Sequence, residues 1–248
     1  MEDATMMRRT SLCAALLATA TAAAASDEIP VGPSVYFGVT TNSIFRGVSQ
    51  TTDQNFYHRG GIDSMTGHGR TTVSTTGVDD QVFAPAVYGG FNYLYSSGLY
   101  AGVEATSVDI PGFDAFARVD GSAGYRHNFD SGWRLNVGAI AYAYPGESGS
   151  NFWEVYAGTG YGPASVQVWH DPANHNTYYQ GQLHYDIGSG VQFYLTAGHY
   201  SLDLGPDYND FGARLSKSFG GLTVGGGVAD TTLDSPIPYL WLQYRLPL

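Results

Sequence analysis

The sequence predicts an all-β chain: a transmembrane, antiparallel, up-and-down β-barrel of about twelve strands behind an N-terminal signal peptide. Three observations carry that expectation. Apolar and polar residues alternate along most of the chain after residue 25, which is the period of a strand with two unlike faces. Short Gly/Ser turns alternate with longer polar links, as the two ends of a membrane barrel require. Finally, only 13% of residues are charged, while Gly (33) and Tyr (19) are abundant, unlike the charge-rich surface of a soluble domain.

The leader comes first. Arg8 and Arg9 precede an apolar stretch from Leu12 to Ala25, and Ala23-Ala24-Ala25 offers small residues for cleavage. Residues 1–25 are therefore expected to be removed, leaving 26–248 as the barrel. The single cysteine, Cys13, lies in that leader. No later stretch approaches the roughly 20 apolar residues of a membrane helix. An exported chain of this kind is either a soluble periplasmic sandwich or an outer-membrane barrel.

Strands are expected near 35–46, 85–95, 99–109, 115–127, 133–144, 152–161, 164–170, 178–187, 191–201, 210–219, 222–229 and 238–246. In the fifth, Trp133, Leu135, Val137 and Ala139 share one face and Arg134, Asn136, Tyr142 and Tyr144 the other. In the ninth, Val191, Phe193, Leu195 and Ala197 oppose Gln192, Tyr194 and Thr196. The even count returns the chain to its starting side, and the lengths match the 9–11 residues of a tilted crossing. Tight links fall at Ser96–Gly98, Asp130–Gly132, Gly162-Pro163, Gly188–Gly190 and Gly220-Gly221. Longer links fall between them, near Pro111, Pro145–Asn151, Pro172–Asn176, Asp203–Asn209 and Thr231–Pro236. A Greek-key sandwich has no reason for that rhythm, so the barrel is preferred. Its last strand, P-Y-L-W-L-Q-Y-R-L-P-L, presents Leu240, Leu242, Tyr244, Leu246 and Leu248 on one face. It resembles the signal read by the barrel-assembly machinery.

Parity then assigns the inward charges: Arg46, Arg118, Arg126, Arg134, Arg214 and Arg245 against Glu104, Asp120, Glu154 and Asp186, with Gln182 and His184 beside them. The lumen is expected to be mixed in charge and slightly positive. The chain as a whole carries a net charge of -11, which disfavours nucleic acid as a partner. The excess acid is read into the loops, at Asp53, Asp63, Asp79, Asp80, Asp114, Glu147, Asp171, Asp203, Asp207 and Asp210. No loop has the spacing of a calcium site, so these are read as solvated.

The motifs I-F-R-G-V-S-Q-T, V-Y-G-G-F-N-Y, S-S-G-L-Y-A-G-V, Y-A-Y-P-G and W-E-V-Y-A-G-T-G-Y-G-P follow one another in order between Val35 and Asp230. In order and spacing they resemble the TorF-type porin family. The resemblance implies an outer-membrane β-barrel and a diffusion channel, with no substrate attached. Two departures stand out: a long segment, Asn55 to Phe83, follows the first motif, and the chain ends on Leu248 rather than an aromatic residue. On this reading Phe45-Arg46-Gly47 is the outer end of the first strand, with Arg46 pointing inward to a carboxylate. Residues 55–83 form the first outer loop. It could stand above the barrel, fold inward as a constriction or extend the wall as a hairpin; its Gly, Ser and Thr content favours an exposed loop.

Catalytic and cofactor motifs are sparse. No phosphate-binding loop, dinucleotide fingerprint or nucleophile elbow occurs, and no cofactor or metal is expected. His170, Asp171 and His175 share a loop without a zinc spacing. His199-Tyr200-Ser201 sets a histidine and a serine on one lipid-facing edge, the arrangement of an outer-membrane phospholipase, but without an identifiable residue to orient the histidine. The expected function is non-enzymatic: passive diffusion of small hydrophilic solutes across the outer membrane of a Gram-negative bacterium. Lipids, lipopolysaccharide and the assembly machinery are the other expected partners. The alternatives are a non-conducting structural or adhesive barrel and, more remotely, the phospholipase-like enzyme.

Overall fold

Twelve antiparallel strands close into a barrel in the computed structural model, which describes residues 31–51, 84–110, 114–203 and 205–248. The strands are β1 (Gly32–Thr40), β4 (Ala86–Leu94), β5 (Leu99–Ser107), β6 (Ala117–Asn128), β7 (Trp133–Ala143), β8 (Phe152–Tyr161), β9 (Ala164–Asp171), β10 (Asn176–Gly188), β11 (Val191–Ser201), β12 (Tyr208–Phe219), β13 (Leu222–Thr231) and β14 (Asp234–Pro247). Two further short strands, β2 (Ile44–Phe45) and β3 (Val48–Ser49), pair only with each other. Each barrel strand pairs with its sequence neighbour, and β1 closes the ring by pairing with β14 as well as β4. The up-and-down barrel expected from the alternation is the fold observed. The segment expected as a loop over 55–83 lies outside the described residues, as does the leader.

The tight links hold their strands by turn chemistry. At Tyr95–Leu99 the Gly98 amide donates to Tyr95 O (2.9 Å) and the Tyr95 amide to Leu99 O (2.8 Å). Phe129–Trp133 repeats the pattern. Gly98 and Gly132 take φ of 93° and 86°, the left-handed residue that ends a three-residue hairpin loop.

The two faces invert the pattern of a soluble protein. Phe37, Val103, Leu183, Leu195, Phe211 and Leu240 are exposed, while Arg118 and Glu154 are 0% exposed. Exposed apolar belts and buried charge fit a wall with hydrocarbon outside and a polar interior.

Inward tyrosines account for the inward glycines. A Cβ at Gly124 would stand 2.6 Å from the Tyr100 ring, and one at Gly138 2.7 Å from the Tyr156 ring. Each ring lies across the neighbouring strand where a side chain is missing. Tyr100 and Tyr156 then meet hydroxyl to hydroxyl, with Tyr100 also donating to Asn136 (2.8 Å).

The facing of β11 is directly testable. Leu195→Arg should cost about 2–4 kcal/mol of stability in refolding from urea into phospholipid vesicles, whereas Thr196→Arg, on the inner face, should cost little. Equal losses at both positions would reverse the assignment.

Candidate functional site

The interior is crossed by a segment that the strand pattern had assigned to the wall. β1 ends at Thr40, six residues before Arg46, and does not continue through Phe45-Arg46-Gly47. The cause is local. Thr40 Oγ1 donates to Asn42 O (2.7 Å), and Asn42 Oδ1 accepts from Ser49 Oγ (2.6 Å) and Thr51 Oγ1 (3.2 Å). Such side-chain bonds compete with the ladder and turn the chain inward. Arg46 and Gly47 then form the tip of a two-residue hairpin, with φ of 43° and 81°, as a type I′ turn requires. The sequence signal was Arg-Gly between Ile-Phe and Val-Ser. It was masked because arginine disfavours that conformation.

The tip reaches the far wall. Arg46 Nη2 lies 3.0 and 2.9 Å from the two oxygens of Glu154 on β8, and Tyr142 donates to the same carboxylate (3.1 Å). The Arg46 guanidinium stands over Tyr178 (4.1 Å) and Tyr200 (4.6 Å), with Phe45 and Trp169 beyond. Burial disfavours its charge, but Glu154 leads the groups that more than offset this, so the proton is held more firmly than in an exposed arginine.

Two apolar anchors flank the tip. Phe45 packs with Val108, Ile140, Tyr142 and Phe152, and Val48 with Tyr178, Tyr200 and Tyr208. On one side Gln50 accepts from Arg118 Nη1 (2.6 Å), whose Nε holds Asp120 (2.9 and 3.0 Å). On the other, Gly47 lies against Thr231 and Asp210, where an added Cβ would come within 2.6 and 2.7 Å of side-chain atoms.

The remaining inward groups lie elsewhere along the wall. Glu104 accepts from Tyr36 and from Thr106 (3.4 Å). Arg214 sits over Tyr194, and His184 stacks on the same ring and bonds Gln192. Gln182 is half-buried on β10, opposite Thr196. Several charges gather at the short-turn end: Arg134 donates to Gly162 O (2.9 Å), the Arg245 guanidinium lies over Tyr36, and Asp186 accepts from the Gly188 amide (2.7 Å). The Arg126 amide bonds Gly98 O at that end too. The expected set thus divides into Arg118, Asp120 and Glu154 around the hairpin, with Glu104 directly across from Asp120, and a group nearer the opposite mouth.

Three readings need correction or completion. Asp210 is not a loop acid: it is buried on β12 and accepts from Tyr178 (3.1 Å). Asp171 is buried at the end of β9, where it binds the Ala173 and Asn174 amides, while His170 bonds Thr177. His199 does have an orienting group. Asn209, directly opposite on β12, brings Oδ1 within 2.9 Å of Nδ1. Asp207 lies 3.9 Å from His199 Nε2 and 3.5 Å from Ser201 Oγ. Cross-strand register made that pair, and no single-strand motif could reveal it.

Residues 71–237 match a family described as a bacterial protein of unknown function, Gcw_chp. No curated protein sequence matches the chain. Among solved structures the chain is similar to the KdgM porin (9% identity, covering 85% of this chain and 98% of that one, TM-score 0.54). It is also similar to the NanC porin (9% identity, 86% and 100% covered, TM-score 0.51). At such identity the likeness concerns the barrel fold.

The docked tip gives a proteolytic prediction. Trypsin should leave the Arg46–Gly47 bond intact in the folded barrel. Gly47→Val, which drives a branched side chain into Thr231 and Asp210, should raise cleavage after Arg46 by about tenfold or more, because cleavage follows the open population. Mass spectrometry of the digest reads the site, and unchanged protection would mean that the tip tolerates the added bulk.

Proposed function

This chain belongs to the Gcw_chp family of bacterial proteins of unknown function, so we propose its activity from the barrel itself: passive passage of small hydrophilic solutes across the outer membrane of a Gram-negative bacterium, through a lumen narrowed by the β2–β3 hairpin. The observation that carries this reading is the inner face. Gln182, His184 and Thr196 are half-buried and share the strand parity of the buried Tyr178, Tyr194 and Tyr200. Leu183 and Leu195 between them are exposed, and an apolar packed interior would have no use for such polar groups. The TorF-type resemblance of the motif series points the same way. Outside, the apolar belt suits hydrocarbon, and the loops at the other end face lipopolysaccharide. β14 is the strand for the assembly machinery, and residues 1–25 are the export leader.

The solute class follows from charge. Arg126, Arg134 and Arg245 stand against Asp186 toward the short-turn mouth, while the acids near the hairpin are largely committed to Arg46, Arg118 and tyrosine hydroxyls. A mouth of that sign favours anions. One barrel of the same fold, KdgM, has been solved in complex with disordered oligogalacturonate. We carry over only the class, small acidic solutes.

Planar-bilayer recording tests both statements. Refolded protein should give conductance steps, with a reversal potential in a KCl gradient that favours chloride. Arg134→Glu together with Arg245→Glu should move that potential toward potassium. Absence of steps would favour the non-conducting structural barrel instead.

A second reading has one specific observation behind it. With Nδ1–H donated to Asn209, His199 would present Nε2 as a base on the edge that carries Ser201. Ser201 Oγ could then add to a lipid ester carbonyl as His199 takes its proton and returns it to the departing alcohol. Water would release the acyl group from the serine. Hydrolysis of mixed phospholipid–detergent micelles by the wild-type protein, lost in Ser201→Ala and reduced in Asn209→Ala, is the expected result. Equal rates in wild type and Ser201→Ala would dismiss it.

A further inference from the structure

We infer that the segment Asn42–Thr51 is a displaceable plug, latched to the far wall by Arg46 on Glu154, and that solute passage requires its release. The inference rests on the channel reading above. Its first support is geometric: the hairpin spans the interior, reaching Arg118 on β6, Glu154 on β8, and Thr231 and Asp210 on β12–β13. A solute moving along the axis meets this segment.

The second support is that the barrel does not need the hairpin for closure. β2 and β3 contribute nothing to the ring of twelve strands. On the other side of the rim the Ala84 amide bonds Thr41 O (2.9 Å), and Thr41 itself bonds Leu240 O (2.9 Å). The chain that leaves β1 therefore returns to the same point, and the hairpin can move without opening the ladder.

The third support is that the docked state carries costs of its own. Arg46 takes a left-handed backbone that arginine disfavours. Asn42 Nδ2, Tyr208 Oη and Asp210 Oδ2 beside it are buried without a hydrogen-bond partner among the described residues. Unmade bonds at buried groups work against the docked state. What holds it are two apolar anchors, Phe45 and Val48, the Gln50 bonds to Arg118 and to the Asp109 amide (3.0 Å), and the Arg46 guanidinium paired with Glu154 over the Tyr178 and Tyr200 rings. A segment built for permanent packing would carry Asn or Gly at the turn and an apolar tip. Here the strained position carries the one side chain long enough and charged enough to grip the opposite wall. An acidic solute could compete with Glu154 for that guanidinium, which couples release to the solute class proposed.

The test compares locked and free forms of one protein. In a Cys13→Ser background, Gly47→Cys with Thr231→Cys places two thiols where the chain already touches β13. Heat-modifiable gel mobility checks that the barrel has folded. Oxidised, this protein should show a single low conductance level; after reduction it should fluctuate between low and high levels. Glu154→Gln, which needs no disulfide, should raise occupancy of the high level by about tenfold. Identical traces for oxidised and reduced protein, with Glu154→Gln unchanged from wild type, would overturn the plug while leaving the channel reading intact. Silence in every form, Glu154→Gln included, would overturn both.

Discussion

The closed hydrogen-bond ladder is the constraint on which every other feature depends. A sheet whose outer face is apolar has no tolerable edge, because unpaired amides and carbonyls at such an edge have no water to bind. Pairing β1 with both β14 and β4 removes the edges, and the Leu248 amide bonds Pro33 O to extend the seam to the last residue. Once the ring closes, strand parity fixes two populations of side chain. One faces outward and must be apolar; the other faces inward and is free to be anything that fits.

What fits is set by curvature and by the neighbouring strand. Inward side chains crowd one another more than outward ones, and Tyr laid over a cross-strand Gly relieves the crowding while leaving a hydroxyl on the wall. Gly124 with Tyr100 and Gly138 with Tyr156 are the clearest instances. The high Gly and Tyr content is thus one property, not two. It also prepares the aromatic surface over which Arg46 lies, since Tyr178 and Tyr200 present their rings to it.

Strand positions were legible because period-2 alternation reports the wall alone. The expected strands at 152–161 and 191–201 coincide with β8 and β11. Alternation cannot report what enters the lumen. In I-F-R-G-V-S the apolar residues resemble strand residues whether they face lipid or pack on tyrosines inside, so Phe45 and Arg46 were assigned to β1. The same limit applies to pairs made across strands. Asp210 and Asn209 acquired their partners Tyr178 and His199 from register, at separations of 32 and 10 residues. The stretch ahead of the first motif does carry a signal: a wall strand does not ordinarily lead into T-T-N-S, whose side chains cap turns.

Arginine at the hairpin tip brings these points together. Glycine or asparagine would serve the turn better, and a short apolar residue would suit a buried position better. Neither could span the distance to Glu154 while stacking on Tyr178. A buried ion pair is in general weak evidence for stability, because desolvating two charges offsets much of their attraction. Its value lies in direction and register: a bidentate carboxylate and an aromatic floor accept a guanidinium in one place only. The residue at position 46 is thus better explained by where the hairpin must dock than by how tightly it docks.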